Sequence, residues 1–211
     1  MNKRLVLIIY RLLVAAVVLA AVVTQLTHSA GRIIGFSYVN FFSFFTIESN
    51  LFGAAMFIAL AALLLQKRTS ALADNLRGAA TLFMVITGII YSLLLTGVDV
   101  QASLPWCNAV LHYIFPVVIL ADWLIFPPAK KIRYGSSAYW LLYPVGYGLY
   151  SLVRGPLAQH WYPYPFLNTY QYGYVRVAMN MVVIGLGMGL LVMAFTWLTT
   201  LRQAAGPKRR K

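Results

Sequence analysis

The chain has 211 residues, 61% hydrophobic and 10% charged, with a mean hydropathy of +0.76; a soluble domain carries charge on about a quarter of its residues, so this composition excludes one. The net charge of +13 invites a polyanion, but nucleic-acid binding needs basic side chains gathered on a water-accessible face, and here they lie between apolar runs. At roughly 20 apolar residues per crossing, the length predicts an all-α polytopic membrane protein, with six transmembrane helices in one domain over residues 1–211 and no nucleic-acid partner.

In chain order, the first run extends from Leu5 to Leu26. It follows MNKR without a small-x-small cleavage site after it, so it reads as a retained helix rather than a leader. The second run, Phe41 to Leu65, carries Thr46, Glu48, Ser49 and Asn50. The third, Gly78 to Gly97, ends just before Asp99, and the fourth, Trp106 to Phe126, contains Asn108, His112 and Asp122. A lone Cys107 excludes an internal disulfide and reads as a packing residue. The fifth run, Ser137 to Val153, is short, rich in tyrosine and interrupted by Pro144, which leaves an interfacial or re-entrant helix as an alternative. Its Tyr139, Tyr143, Tyr147 and Tyr150 stand at helical spacing, a pattern that favours packing over cavity lining. The loop from Arg154 to Gly173, with Trp161, Tyr162, Tyr164 and Phe166, suits the headgroup region. The sixth run, Tyr174 to Leu198, includes Asn180 and the glycines Gly185, Gly187 and Gly189, which predict close helix contacts. A basic tail follows at 203–211 and is suited to anionic lipid headgroups.

Charge orients the spans. With six crossings and a cytoplasmic start, fourteen Lys and Arg fall on the inside, including Arg11 and Arg77, against Arg32, Arg154 and Arg176 on the outside. That asymmetry is the one the positive-inside rule requires, and removing the fifth span would carry the basic tail across the membrane. Both termini are therefore expected in the cytoplasm.

Ionisable groups inside a span cost several kcal/mol unless they face a partner or water, which makes Glu48, His112 and Asp122, with Asp99 at a helix end, functional candidates. Asp122 is expected to pair with Lys130, Lys131 or Arg133 by snorkelling. At 1.5 Å per residue His112 lies roughly 9 Å below the outer end of its run and Thr46 roughly 7 to 8 Å below the outer end of its own, with Glu48, Asn50, Asn180 and Tyr91 at similar depth. Such a layer predicts a polar cavity in the outer leaflet. Pro116 has no N–H for the carbonyl of His112, so the helix should bend there. The layer suits acyl transfer, in which the Thr46 hydroxyl attacks a carbonyl while neutral His112 takes its proton. Glu48 or Asp99 would orient the ring, and Asn50, Asn108 or Asn180 would donate to the oxyanion. The bland alternative bonds Thr46 back to the carbonyl of Phe42 and His112 across helices. No metal or cofactor is expected.

The stretches NFFSFFTIESNLF at 40–52, CNAVLHYIFP at 107–116 and WYPYPFLNTYQYGY at 161–174 make the whole chain resemble a bacterial integral-membrane family named "Pr-six-Pr". More distantly it is similar to the androgen-induced and androgen-dependent transmembrane threonine hydrolases of fatty acid esters of hydroxy fatty acids. The first likeness implies a bacterial cytoplasmic (inner) membrane. The second implies a catalytic threonine at Thr46 and a catalytic histidine at His112, with Asn108 and Pro116 as the flanking pattern, acting on a lipid-like ester. Glu48 beside the nucleophile and the aromatic outer loop depart from that second pattern.

Two other classes compete with the hydrolase. In a proton-coupled transporter or channel, Glu48 and Asp99 would titrate beside His112; in a non-catalytic lipid-binding scaffold, the aromatic and glycine-rich faces would do the work. A haem carrier is disfavoured, because His28 and His160 lie outside the spans.

Overall fold

A computed structural model describes residues 2–98, 103–128 and 131–205, and every regular element among them is helical. Helix α1 (Lys3–Arg32) starts at Asn2, whose side chain accepts the Arg4 N–H. One face of α1 is buried, at Ile8, Arg11, Ala15, Val18, Val22, Gln25 and Ser29, while Leu5, Ile9, Leu13, Val17 and Val23 are exposed on the other. A helix that is apolar even where it is exposed is built for lipid.

The second apolar run is not one rod. Ser37 caps a short α2 (Tyr38–Phe42), Phe44 takes an extended backbone, and α3 (Phe45–Leu65) begins anew. Thr46 therefore sits in the first turn of a helix and not a turn and a half inside one. Helix α4 (Ala71–Ile90), capped by Ser70, passes into a π-helical turn at Tyr91–Leu95. The next rod is α5 (Pro105–Ala109), a π turn at Val110–Ile114, and α6 (Phe115–Ile125). In π register the carbonyl of Leu111 would look to residue 116, a proline with no N–H. Asn50 of α3 supplies the missing donor, its Nδ2 lying 3.1 Å from Leu111 O. Gly88 of α4 lets the two rods close here, since a Cβ at that position would stand 3.1 Å from Pro116 Cβ and 3.3 Å from His112 O.

The fifth run folds as α7 (Tyr134–Ala138), a 3-10 turn at Tyr139–Leu141 and α8 (Leu142–Leu157). No single piece of it reaches crossing length, so among the described residues five helices are long and apolar enough to cross a membrane: Lys3–Arg32, Phe45–Leu65, Ala71–Leu95, Pro105–Ile125 and Thr169–Leu201. The last belongs to α9 (Thr169–Ala205), kinked at Gly173, where φ is 75°. Helix α1 packs along α3, α3 on α4 and α4 on α6. Helices α8 and α9 flank this core: α9 adds Val177, Met188, Val192 and Phe195 to it, while the two expose Leu142, Val145, Leu149, Val182, Leu186 and Leu190. The glycines of α9 do not mediate close contact, for a Cβ at Gly185, Gly187 or Gly189 would meet nothing within 4 Å.

At the end of the bundle where α1 and α4 begin and α6 finishes, Asp122 is 1% exposed and holds two arginines. Arg11 Nε and Nη2 reach its two carboxylate oxygens at 3.1 Å each, and Arg77 Nη1 reaches Oδ2 at 3.2 Å. Arg77 also lies over the Trp123 ring, 4.9 Å from its centroid. The expected ion pair of Asp122 is present, but its described partners are Arg11 and Arg77 rather than Lys131 or Arg133. Lys130 lies outside the described residues. Both arginines sit on neighbouring helices at the depth of the carboxylate, so neither has to snorkel. Close by, Arg4 donates to the last carbonyls of α3, Leu64 at 2.6 Å and Leu65 at 2.7 Å.

Candidate functional site

At the opposite end of the bundle most of the polar groups are uncharged side chains, and the charged Glu48 and Arg154 are each paired to a neutral partner. Helix α3 begins there with Phe44 at its N-cap, a side chain that accepts no hydrogen bond. Two tyrosines from elsewhere in the chain take over. Tyr147 of α8 accepts the Phe45 N–H at 3.3 Å and donates to Ser43 O at 3.0 Å. Tyr164 of the outer loop accepts the Thr46 N–H at 3.1 Å, and its hydroxyl also pairs with Thr46 Oγ1 at 3.1 Å. Burial pushes the Tyr164 phenol up to about 12. Thr46 Oγ1 is thus committed to Tyr164 and not to the carbonyl of Phe42, which belongs to a different helix.

His112 projects from the π turn of the fourth run. Its Nδ1 lies 3.2 Å from Asn108 O, an acceptor only, so Nδ1 carries the hydrogen and Nε2 keeps the lone pair. The ring stacks on Tyr91 with centroids 3.9 Å apart, and Asn108 Nδ2 donates to the Tyr91 hydroxyl at 2.6 Å. Two π turns from adjacent rods therefore face each other through Tyr91 and His112. Such insertions recur at functional sites because they re-aim side chains that regular helix would point elsewhere.

Thr46, His112, Asn108, Tyr91 and Tyr164 line one cavity of about 350 Å³, completed by Phe44, Leu95, Gly97, Val98, Ser103 and Pro105. Among the described residues no hydrogen bond joins Thr46 to His112. A second, apolar groove of about 220 Å³ runs between α4, α8 and α9 and is walled by residues such as Ile86, Ile90, Pro144, Met181, Ile184 and Met188. Thr46, Leu95 and Tyr164 belong to both spaces. Thr46 thus lines both an apolar groove and a polar cavity.

The other sequence candidates are distributed around this site. Asn50 is fully buried behind it, donating to Thr46 O at 2.8 Å as well as to Leu111 O, so it ties the two rods together. Glu48 turns toward α8 and accepts from Tyr143 at 2.6 Å. Asn180 donates to Phe166 O at 3.0 Å and braces the outer loop. Asp99 lies outside the described residues. Of the tyrosine stripe, Tyr143, Tyr147 and Tyr150 all reach the α2–α3 segment, the last through Ser43 Oγ at 2.7 Å. Tyr164 was legible only as a headgroup aromatic; the signal that singles it out is the tyrosine between two prolines in WYPYPF, which stiffens the backbone carrying it. Among the described residues no group of three His, Cys, Asp or Glu is placed to hold a metal ion. Compared with protein-family models, with curated proteins and with solved structures, the chain finds no match.

Proposed function

We propose that this protein is a membrane-embedded hydrolase of long-chain acyl esters, with Thr46 as nucleophile and His112 as base. The observation that carries the reading is the shared position of Thr46: it lines one cavity together with His112, and it also lines an apolar groove whose walls have the character an acyl chain needs. The ester carbonyl sits at the junction. Thr46 Oγ1 leaves Tyr164 and attacks the carbonyl carbon, and its proton passes to His112 Nε2, directly or through one water of the cavity. The alcohol departs with that proton, and water then cleaves the acyl-threonine ester to release the fatty acid and restore the hydroxyl. Loss of the Tyr164 hydrogen bond on substrate entry leaves the Thr46 N–H at the start of α3 free to donate to the oxyanion.

The same proposal gives the chain six crossings, with the α7–α8 segment as the fifth, and both ends in the cytoplasm of a bacterial inner membrane. It draws on the basic residues, whose asymmetry persists when Arg11 and Arg77 are set aside as an internal ion-paired group. The basic tail then meets anionic headgroups on the cytoplasmic side. The test is labelling of purified protein with a long-chain alkyl phosphonate probe alongside turnover of lipid-like esters. Thr46→Ala should abolish both, and His112→Gln should lower turnover by about 10² to 10⁴. Undiminished labelling and turnover in Thr46→Ala would rule the reading out.

A further inference from the structure

Resting on the ester-hydrolase reading, we infer that the alcohol half of the substrate is uncharged and carries at least one further hydroxyl, as in a monoacylglycerol. The polar cavity decides this by the chemistry of its wall. Its hydrogen-bonding side chains are Thr46, Tyr91, Ser103, Asn108, His112 and Tyr164, none of them a cation of fixed charge. Residues 99–102 lie outside the described residues, and in sequence they are Asp, Val, Gln and Ala, with no Lys or Arg among them.

The arginines nearest this end are engaged or outside it. Arg154 donates to Asn40 Oδ1 and lies 4.8 Å from the Trp161 ring centroid, Arg176 lies over Tyr172, and Arg32 is exposed in the last turn of α1. None of the three lines the cavity. A carboxylate or phosphate taken into this cavity would give up part of its hydration and gain no counter-charge from the described wall residues, whereas a neutral hydroxyl gives up less.

The wall instead offers a matched donor and acceptor. Asn108 Nδ2 already donates to the Tyr91 oxygen, which leaves the Tyr91 O–H to donate and Asn108 Oδ1 to accept, with His112 Nε2 kept for the Thr46 proton. A hydroxyl can answer both, because it donates and accepts at once. A plain alkyl ester has oxygens that accept but no group that donates, and it would leave Asn108 Oδ1 unanswered. Esters of hydroxy fatty acids, which the distant likeness would bring, carry a free carboxylate that has no cation to meet here.

The experiment uses Thr46→Ala protein in nanodiscs, which cannot turn over, and a diazirine-tailed monoacylglycerol that cross-links to the groove. Three competitors share one acyl chain: the monoacylglycerol, its methyl ester and its ester with a hydroxy fatty acid. We expect the monoacylglycerol to displace the probe at a concentration at least roughly tenfold lower than either of the others. Tyr91→Phe, which keeps the ring stacked on His112 and leaves Asn108 in place, should narrow its advantage over the methyl ester, and Tyr91→Phe with Asn108→Leu should erase it. Val98→Lys, a cation on the cavity wall, should recover binding of the carboxylate ester. Equal or better competition by the anionic or the methyl ester would overturn the inference. Turnover by the unaltered protein is read separately, so selective binding without Thr46-dependent cleavage would refute the hydrolase and leave the pocket's preference standing.

Discussion

The two ends of the bundle solve the problem of polar groups in an apolar setting in opposite ways. At one end, Arg11, Asp122 and Arg77 are fixed charges locked onto one another and almost wholly buried. At the other, Thr46, His112, Tyr91, Asn108 and Tyr164 are uncharged and surround open space. A buried ion cluster contributes definition rather than adaptability, because any new ligand would have to displace a charged partner. Neutral hydroxyl, amide and imidazole groups can exchange one partner for another at modest cost, and that is what a site needs. The backbone follows the same division. Both π turns occur at the open end.

The contrast is best broken at the charged end, where the largest effect lies. Asp122→Ala leaves two guanidinium groups buried without the carboxylate that joins them and should cost about 3–5 kcal/mol, seen as a collapse of thermal stability in detergent. Replacing all three charges with apolar residues of similar volume should restore most of that loss. If Asp122→Ala alone is harmless, the cluster is not the internal lock described here.

The open end should show its character in alkali. An unfolded tyrosine ionises near 10, whereas the buried Tyr164 phenol is pushed up to about 12. Between those values the unfolded chain has lost a proton that the folded chain keeps, so stability falls as the pH rises through that window, by roughly 2–3 kcal/mol from this group. Tyr164→Phe should flatten that part of the unfolding profile. A variant with the same alkaline slope as the parent would show that Tyr164 is not held neutral by the fold.

Smaller effects separate the supports of the site from its surroundings. Asn50→Ala removes donors from Leu111 O and Thr46 O and should cost about 2 kcal/mol in an unfolding titration. Gly88→Ala brings a Cβ against Pro116 and the His112 carbonyl and should cost about 1 kcal/mol. Gly185→Ala points into open space on α9 and should stay within about 0.5 kcal/mol. An inverted order for the two glycines would mean that α4 and the rod holding His112 are not in close contact.

Much of this was readable from hydropathy and spacing, because the cost of an unsatisfied backbone in lipid leaves few architectures open. The five long apolar helices fall where the runs predict them. The weak fifth run, flagged by its length and Pro144, is the one that breaks into pieces. Depth counted at 1.5 Å per residue brought Thr46, Tyr91 and His112 to one layer, and one cavity contains them. Azimuth was harder. Glu48 is two residues from Thr46 and so faces another direction, toward Tyr143. Partners from distant helices were invisible for the same reason: nothing in the linear order says that Arg11 and Arg77 approach Asp122. The π turns left only the hint at Pro116, since a one-residue insertion has no periodicity of its own.

Tyrosine capping of α3 also imposes an order on assembly. The Phe45 and Thr46 N–H groups find their partners 102 and 118 residues further along the chain. While the protein is being synthesised, the start of α3 must wait for the α8 segment and the loop beyond it to leave the ribosome. Every nascent chain that stops short of Tyr147 and Tyr164 lacks the hydroxyls that hold that turn, so the corner around Thr46 closes only after both have been made.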